Sequence, residues 1–410
     1  MTEPVTRHDR LTRLSLPLMA VGAVCIIVGV IIWLIPGWGR DQIPRSWLFA
    51  WIFWLGVPLG CMGVLMLWHL TAGGWGYMIR QFAETAVACL WLLLVLFIPL
   101  IFGAGHLYPW ANAEGLKNPV VFHKHAWMNL GFWTGRSIVY LLIFIFLGFL
   151  MQSGSMQRPN VNIASIYKRL RNVSAGGMVV YFFIMTLGSI DWIMSREPNW
   201  YSTVFGFVVC VSQSISGCCL LIILLWFFHE QEPLSRVIHP NYLNDLGNIL
   251  MTFVILWAYM SFAQFLVQWV GNKQDEIIWY IKRTDGGWRW VGAALMAFHF
   301  LVPFIILLQR PLKRKAGRLA VIAAGLFFIH IIDELYWVKP SDPHTGVWGV
   351  GHWLFTEAMN ILLFVGIGGV WLGYFLWRFK DRPLLPIGDR VPVLPIDHGK
   401  GQRPVPGTLA

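Results

Sequence analysis

The stretch VSAGGMVVYFFIMTLGSIDWIMSREPNW, residues 173–200, decides the fold class of this sequence. Its first eighteen residues, 173–190, carry no charge, and Asp191 follows them directly. An α-helix needs about 20 apolar residues to cross the hydrocarbon core of a bilayer, so this run predicts a membrane-spanning helix. Because a lone carboxylate is costly in hydrocarbon, we expect Asp191 to face the interior of a helix bundle.

Apolar runs of similar length recur along the whole chain of 410 residues. Hydrophobic residues make up 57% of the sequence, charged residues only 12%, and there are 24 tryptophans. This composition predicts an all-α polytopic membrane protein. The run lengths predict ten spans, at approximately residues 14–35, 47–70, 83–106, 130–152, 173–195, 202–229, 246–270, 288–309, 318–338 and 352–377.

The distribution of Lys and Arg predicts the orientation of these spans. The two tails and the loops after spans 2, 4, 6 and 8 hold 20 of the 31 basic residues, and the alternate loops hold 10. Basic residues favour the cytoplasmic side, so both termini should be cytoplasmic. The tails are residues 1–13 and the Pro- and Gly-rich 378–410, around a transmembrane domain of residues 14–377. The net charge of +11 therefore indicates contact with anionic lipid and no nucleic-acid partner.

The cysteines and histidines do not form a ligand set for a redox centre. All six cysteines lie inside apolar spans without a CxxC pair, which argues against iron–sulfur clusters and disulfides. Histidines within the spans stand at different heights, whereas a bundle-type haem needs two that face each other. The loop after span 3 carries His123 and His125, but no matching cysteines or carboxylates accompany them. We therefore expect no haem, iron–sulfur cluster or metal ion in this chain.

A weak internal repeat relates the two halves of the chain. Asp191 stands seven residues before Pro198, and Asp333 stands seven residues before Pro340. Spans 2 and 6 also resemble each other, with GCMGVLMLWH at 60–69 and GCCLLIILLWFFH at 217–229. The offset is four helices in both cases. This predicts two parallel four-helix bundles, spans 2–5 and 6–9, with spans 1 and 10 outside them.

Ionisable residues cluster near the predicted outer ends of several spans. His330, Asp333 and Glu334 share one helical face, because their spacing is i, i+3, i+4. Asp333 lies fifteen residues after Arg318, or about 22 Å along a helix, which is less than the ~30 Å thickness of the hydrocarbon layer. Three ionisable groups at that depth must line a bundle interior or a hydrated cavity.

Arg136 lies inside span 4, about 24 Å above its inner end and close to the level of Asp333. A buried cation needs a carboxylate, which either Asp191 or Asp333 could supply. We expect Glu357 and His352 of span 10 to join this layer. Two interpretations stay open: a structural salt-bridge network that fixes helix ends, or a site that accepts protons.

Further ionisable residues lie outside this layer. His69, Glu84, His229 and Glu230 stand near inner helix ends, and His299 is alone near the middle of span 8. Such a set could hand protons from the cytoplasm toward the outer layer, or each residue could simply be interfacial. His106, His123 and His125 of the outer loop are either interfacial residues bonded to backbone or part of a ligand pocket or partner surface.

Three aromatic-rich blocks give the sequence a family resemblance. They are GHLYPWA at 105–111, IDWIMSREPNWYSTVFG at 190–206, and FAQFLVQWVGNKQDEIIWYIKR followed by GGW within 262–288. In these blocks the chain resembles the second quinone-binding-type subunit, ActF-type, of bacterial alternative complex III. That subunit belongs to the NrfD/polysulfide reductase membrane-anchor superfamily. The likeness extends from span 1 to span 10.

The resemblance implies a subunit of a quinol:cytochrome c oxidoreductase in the bacterial inner membrane, with menaquinol as the expected substrate. It implies no b-type haem in this chain and two four-helix bundles. Implied partners are iron–sulfur and c-type haem subunits, a sister ten-helix subunit and small membrane anchors, together with lipid. In such complexes the sister subunit carries the better-supported quinol site, so a share in quinol oxidation and a share in proton translocation both stay open here.

Quinol oxidation releases two electrons and two protons, so it needs proton acceptors and an apolar slot for the ring. Electrons would leave to a neighbouring protein. The candidate catalytic residues are His330, Asp333, Asp191 and Arg136. The candidate proton pathway comprises Glu334, Glu357, His352, His299, His69, Glu84 and His229. The candidate quinone pocket comprises His123, His125 and Trp192.

Two other functions remain as alternatives. One is a purely structural anchor of the same complex, and the other is an ion-coupled secondary transporter. A transporter is expected to show inverted repeats and helix breaks near mid-membrane. Mid-span prolines are scarce in this sequence, with Pro58, Pro99 and Pro303 as the examples, and the repeat is parallel.

Overall fold

The chain is all-α in its computed structural model. The structure describes residues 13–37, 39–112, 115–152, 163–342 and 350–385, and no strand is present in these ranges. Within these ranges, ten helices are long and apolar enough to cross a membrane. The prediction of an all-α, multi-pass membrane protein with ten spans is confirmed.

The ten helices are labelled α1 to α10. Two of them are interrupted: α3 begins as Gly74–Val87 and continues as Leu90–Val95 and Ile98–Leu107, and α8 is Trp288–Leu295 and Val302–Leu308 joined by a π-helical segment, Met296–Leu301. The others are α1 Ser15–Leu34, α2 Gly39–Thr71, α4 Leu130–Gln152, α5 Ile163–Trp192, α6 Phe205–Phe228, α7 Pro240–Gly271, α9 Ala316–Val338 and α10 Val350–Phe379.

Several helices begin earlier than the apolar runs predict. The runs place the starts of α2, α3 and α7 at residues 47, 83 and 246, whereas these helices begin at Gly39, Gly74 and Pro240. In α3 the early residues Arg80, Gln81 and Glu84 are buried inside the protein. Hydropathy locates only the apolar part of a helix, so it misses opening turns that carry buried polar side chains such as the Arg80–Glu84 ion pair.

The helices pack as two groups joined through α2 and α6. In the first group, α2 packs against α3 and α5, and α4 packs against the same two helices. In the second group, α6 packs against α7 and α9, and α8 packs against the same two helices. Outside both groups, α1 packs along α10, and α10 packs on α2. This packing agrees with the predicted bundles of spans 2–5 and 6–9.

The two groups meet where Gly60 of α2 crosses Gly217 of α6. A Cβ atom on Gly60 would lie 1.7 Å from the backbone oxygen of Gln213, and one on Gly217 would lie 2.3 Å from the backbone nitrogen of Cys61. These two glycines begin the matching motifs at 60–69 and 217–229. Contact between equivalent positions is what an approximate two-fold relation between two bundles produces.

Both tails reach beyond the described residues. The predicted N-terminal tail is described only at residue 13, and the predicted C-terminal tail only up to residue 385. The cytoplasmic location of both termini therefore stays a prediction. The end of the molecule at which α5 and α9 finish is called the outer end, as the charge distribution assigns it, and the opposite end is called the inner end.

Candidate functional site

Asp191, near the outer end of α5, is paired with Arg136 of α4. The guanidinium donates two hydrogen bonds to the carboxylate, Nε to Oδ2 at 2.6 Å and Nη2 to Oδ1 at 2.7 Å. The Asp191 side chain is 1% exposed and that of Arg136 is 8% exposed. This resolves the choice left open by the sequence, because Arg136 binds Asp191 in the two-pronged geometry that suits a guanidinium and a carboxylate.

Other groups complete the coordination of this ion pair. Tyr140 and Trp127 also donate to the Asp191 carboxylate, at 3.2 Å each. Arg136 donates its third bond to the backbone oxygen of Trp127 and stacks over the Trp127 and Phe132 rings. Both charges are thus neutralised and hydrogen-bonded, which is the condition for a stable buried ion pair. The arrangement fixes α4 against α5 and leaves the carboxylate little capacity for chemistry.

Asp333 of α9 belongs to a different group, here called the second-bundle cluster: His299 of α8 with His330, Asp333 and Glu334 of α9. All four side chains are at most 2% exposed. His330 Nδ1 lies 3.9 Å from Asp333 Oδ2, and His330 Nε2 lies 3.4 Å from Glu334 Oε1. The rings of His299 and His330 are near-parallel, with centroids 6.0 Å apart.

Neutral side chains from α6 and α7 orient this cluster. Ser212 donates to Asp333 Oδ2 at 2.9 Å, and Trp257 donates to the same oxygen at 3.1 Å. The Ser212 hydroxyl also lies 3.2 Å from His330 Nδ1. In the described part of the chain, neither Asp333 nor Glu334 has a Lys or Arg partner within ion-pair distance.

Several polar atoms of the cluster have no hydrogen-bond partner in the structure. They are both ring nitrogens of His299, Nε2 of His330 and both carboxyl oxygens of Glu334. Their surroundings are apolar: the Trp257 ring lies 4.2 Å from the His299 ring, and Phe53 packs on His330. Buried polar groups are normally hydrogen-bonded, so this concentration of unpartnered atoms marks the cluster as unusual.

The internal repeat makes the contrast between the two bundles explicit. The offset that aligns Asp191 with Asp333 aligns Gly188 with His330 and Trp192 with Glu334. In the first bundle Trp192 lies over Gly188, where a Cβ atom would be only 2.8 Å from the indole. The second bundle thus holds an imidazole and a carboxylate where the first holds a glycine and an indole.

Glu357 does not join the cluster. It forms an ion pair with Lys339 and accepts a hydrogen bond from Asn360 at 3.2 Å. The prediction that it shares one polar layer with Asp333 is therefore not supported by any contact. His352 lies on α10, but its side chain is outside the described residues.

The predicted quinone-pocket residues separate from one another. His123 and His125 are both exposed, and His123 lines an outer pocket of about 340 Å³ together with Trp127, Met194 and Trp200. Trp192 does not line this pocket. It is buried in the first bundle, where it packs edge-on against Trp51 and donates to Ser137 at 3.0 Å, because its ring fills the space above Gly188.

His106, also in the outer loop region, has its Nδ1 2.7 Å from Asp41 Oδ1, and both side chains are partly exposed. Nearby, the Lys124 ammonium donates to the backbone oxygen of Pro198 at 2.6 Å. Burial lowers the pKa of Lys124 below its ordinary value. These contacts attach the loop after α3 to its neighbours.

The inner residues form separate local contacts. His69 Nδ1 lies 2.9 Å from the Ser174 hydroxyl, and Glu84 accepts from Arg80 at 2.7 Å. His229 is bonded to the backbone oxygen of Trp226 at 2.6 Å. The structure therefore does not join His69, Glu84 and His229 to the second-bundle cluster by direct contacts.

Two residues that sequence reasoning missed extend the cluster inward. Gln213 of α6 and Glu334 both border Gly56, whose Cβ would lie 3.1 Å from Gln213 Cγ and 3.5 Å from Glu334 Oε1. Tyr181 of α5 donates to Gln213 Oε1 at 2.9 Å. The signal was present in the sequence, because Ser212, Gln213, Ser214 and Ser216 form a polar stretch within an apolar span.

Arginines fix the outer end of α9 just above the cluster. Arg283 donates to the backbone oxygens of Tyr336 and Trp337 at 3.0 and 2.7 Å, and Arg196 donates to that of Val338 at 2.5 Å. Burial lowers the pKa of Arg283 to about 9, while Tyr336 and Glu197 act in the opposite direction. A guanidinium stays charged at neutral pH, so both arginines satisfy the free carbonyls at the negative end of the helix dipole.

Comparisons with known proteins leave the family open. No protein-family model matches this sequence, and no curated protein matches it. The function proposed below is therefore inferred from the geometry described above and from the family resemblance of the aromatic-rich blocks.

Proposed function

We propose that this chain is a membrane subunit of a quinol:cytochrome c oxidoreductase of the alternative complex III type, and that its second-bundle cluster accepts and passes on protons. One observation carries the proposal. Of two carboxylates at equivalent positions, Asp191 is neutralised by a guanidinium, whereas Asp333 is buried among imidazoles, another carboxyl group and neutral donors. Ionisable groups kept inside a membrane protein without a fixed counter-charge are typical of proton relays.

The cluster suits proton handling better than direct contact with a quinol ring. Its four side chains are buried, and none of them lines the outer pocket beside His123 or the pocket beside Asn118. An imidazole and a carboxylate at 3.9 Å can exchange a proton through a small rearrangement or one water molecule. Gln213 and Tyr181 then offer the next hydrogen-bonding groups toward the inner side.

A quinol head group would bind at the outer pocket of about 340 Å³. Trp127, Met128 and Met194 supply apolar walls, and His123 supplies a proton acceptor at the rim. This volume lies within the ordinary range of small-molecule pockets. The electrons would pass to iron–sulfur and c-type haem subunits on the outer side, and a sister ten-helix subunit and small anchors would complete the assembly.

The test is replacement of Asp333 by Asn in the assembled complex. Asn keeps the shape and can still accept the bonds from Ser212 and Trp257, but it cannot take up a proton. We expect assembly to survive and quinol-dependent cytochrome c reduction, or the proton release linked to it, to fall by about tenfold or more, as for loss of a general base. Activity is measured per assembled complex at several pH values.

Asp191→Asn is the matched control, since it makes the same chemical change at the equivalent position. We expect it to reduce the yield of folded complex more than the turnover of the complex that forms, because Asp191 neutralises Arg136. If Asp333→Asn assembles and keeps full turnover and proton yield at every pH, the cluster is structural. The chain would then be an anchor of its complex.

A further inference from the structure

The second-bundle cluster has the composition of a metal site. Donor atoms of His299, His330 and Asp333 all lie within 4.8 Å of one another, and the three residues are buried. Two imidazoles and a carboxylate are a common ligand set for divalent transition metals, whereas Mg²⁺ and Ca²⁺ prefer oxygen ligands alone. The sequence conceals this set, because His299 is on α8 and the other two residues are on α9.

Both histidines of this set have ring nitrogens that could bind a metal ion. Both nitrogens of His299 and Nε2 of His330 lack hydrogen-bond partners, while Nδ1 of His330 already lies 3.2 Å from Ser212. Metal-binding histidines usually engage their second nitrogen in such an outer contact, which fixes the ring. Ser212 and Trp257 orient the Asp333 carboxylate in the same way.

Charge also favours a divalent cation here. Asp333 and Glu334 together contribute two negative charges when ionised, so a dication bound beside them gives a group with no net charge. A neutral group is far less costly in a low-dielectric interior than an isolated carboxylate. Glu334 Oε1 lies 3.4 Å from His330 Nε2, near enough to become a fourth ligand or to balance the charge.

The local shape of α8 supports the assignment. His299 lies within the π-helical segment Met296–Leu301, which widens the turn and brings the imidazole beside His330. Such π-helical turns are rare and occur frequently at functional sites. The His299 side chain has no hydrogen bond that would explain its burial.

We propose that His299, His330 and Asp333 bind one divalent transition-metal ion of the Zn²⁺ type, with Glu334 as the fourth ligand or counter-charge. Binding would displace protons from the same nitrogen and oxygen atoms, because a metal and a proton compete for one lone pair. The further statement that metal binding blocks proton transfer rests on the proposed function. The binding itself does not.

The experiment uses the full chain, purified in detergent without a polyhistidine tag. Zinc chloride is supplied during expression and again after dialysis against EDTA, unbound metal is removed, and zinc per chain is measured by mass spectrometry. We expect about one ion per chain, with zinc X-ray absorption showing N/O ligands at about 2.0 Å and imidazole scattering, and no sulfur shell at about 2.3 Å. Fluorescence-monitored melting confirms that each sample is folded.

His299→Leu and Asp333→Asn should each lower zinc retention by tenfold or more. His69→Leu is the control, since His69 is another buried histidine with one unpartnered nitrogen but lies outside the cluster, and it should retain one ion. Folded protein that holds no zinc, zinc ligated by sulfur, or full retention in His299→Leu would overturn the inference.

Zinc added to the assembled complex separates this inference from the proposed function. Zinc that binds at the cluster and inhibits quinol-dependent proton release agrees with both. Zinc that binds there without affecting turnover or proton release supports the metal site and contradicts the proton role. No zinc binding, combined with loss of activity in Asp333→Asn, overturns the metal site alone.

Discussion

Asp191 and Asp333 show how one residue type at equivalent positions can serve two roles. Asp191 accepts two hydrogen bonds from Arg136 and one each from a tyrosine and a tryptophan, so its carboxylate is paired with a cation and with neutral donors. Among the described residues, Asp333 receives hydrogen bonds from a serine and a tryptophan outside its own helix, and its ion-pair contact is with a histidine. Whether a buried carboxylate serves as a structural ion pair or can exchange protons therefore depends on the groups that surround it.

Replacing Arg136 with Leu should destabilise the chain strongly. It leaves Asp191 buried without its counter-charge, and removing one member of a buried ion pair typically costs about 3–5 kcal/mol. The measurement is the free energy of unfolding in mixed micelles titrated with a denaturing detergent. The double change Arg136→Leu with Asp191→Asn should recover part of the loss, because no unpaired ionised group then remains.

Arg236→Leu provides the control for this prediction. Arg236 pairs with Glu232 at 2.5 Å, but the two side chains are 71% and 66% exposed. Exposed ion pairs contribute at most about 1 kcal/mol, so this variant should be nearly as stable as the wild type. Equal stability of Arg136→Leu and Arg236→Leu would show that the Asp191 pair does not hold α4 against α5.

At the level of single residues, the sequence predicted depth better than partners. Helical rise placed Arg136 near the level of the acidic residues, and span membership predicted burial of Asp191, His330 and Asp333, as found. The sequence could not show whether Asp191 or Asp333 pairs with Arg136, because this pairing depends on how each helix is rotated about its axis. For the same reason it treated His299 as isolated, although the ring lies beside His330.

Among the helices, α2 and α6 connect the architecture, because the two bundles are joined where these helices cross. Their crossing at Gly60 and Gly217 has no room for a side chain. Small residues allow such close approach between membrane helices, where packing replaces much of the hydrophobic driving force. The same principle operates between α1 and α10, where Gly22 meets the backbone of Gly366 and Val370.

Gly60→Ala should therefore separate α2 from α6. Its Cβ would lie 1.7 Å from the Gln213 backbone oxygen, so a helix must move. Overpacking of this kind costs about 1–3 kcal/mol, occasionally more. A lower thermal midpoint and a poorer yield of monodisperse protein are expected. Gln213 and its hydrogen bond from Tyr181 adjoin this contact, so the inward branch of the cluster should be disturbed as well.

Gly325→Ala on α9 is the matched control. No atom lies within 4 Å of the added Cβ, and alanine is a better helix former than glycine by about 0.5–1 kcal/mol. The control should therefore melt at or slightly above the wild-type temperature. If Gly60→Ala melts at the same temperature as Gly325→Ala, the crossing is looser than the structure places it.

The sequence predicted the number and order of the helices but not their irregularities. Hydropathy identified ten spans, and the repeat of GCMG and GCCL pointed to the helices that meet at the centre. It gave no indication of the π-helical turn at Met296–Leu301 or of the interruptions in α3 near Ala88 and Leu96. These depend on which side chains neighbouring helices present, information that no single span contains.

For the molecule as a whole, the two bundles differ in what surrounds their equivalent buried acids. The first bundle neutralises its buried charge and fills the equivalent space with an indole. The second keeps imidazoles and carboxyl groups in the same place. A duplicated scaffold can retain one copy for stability, while the other tolerates unpaired polar groups that a single bundle could not stabilise.

The orientation of the whole molecule yields the last prediction, which uses one cysteine at each end. Lys282, in the outer helix Gln274–Thr284, has a side chain 41% exposed, and Arg236, in the inner loop after α6, has one 71% exposed. Five native cysteines are buried and Cys25 lies within α1, so background labelling should be low. In intact spheroplasts, a membrane-impermeant maleimide should label Lys282→Cys directly and Arg236→Cys only after permeabilisation, because the more basic side faces the cytoplasm.

Labelling in denaturing detergent verifies that both thiols are present. The reverse labelling pattern would show that the molecule has the opposite orientation, with Asp191, Asp333 and the pocket beside His123 at the cytoplasmic end.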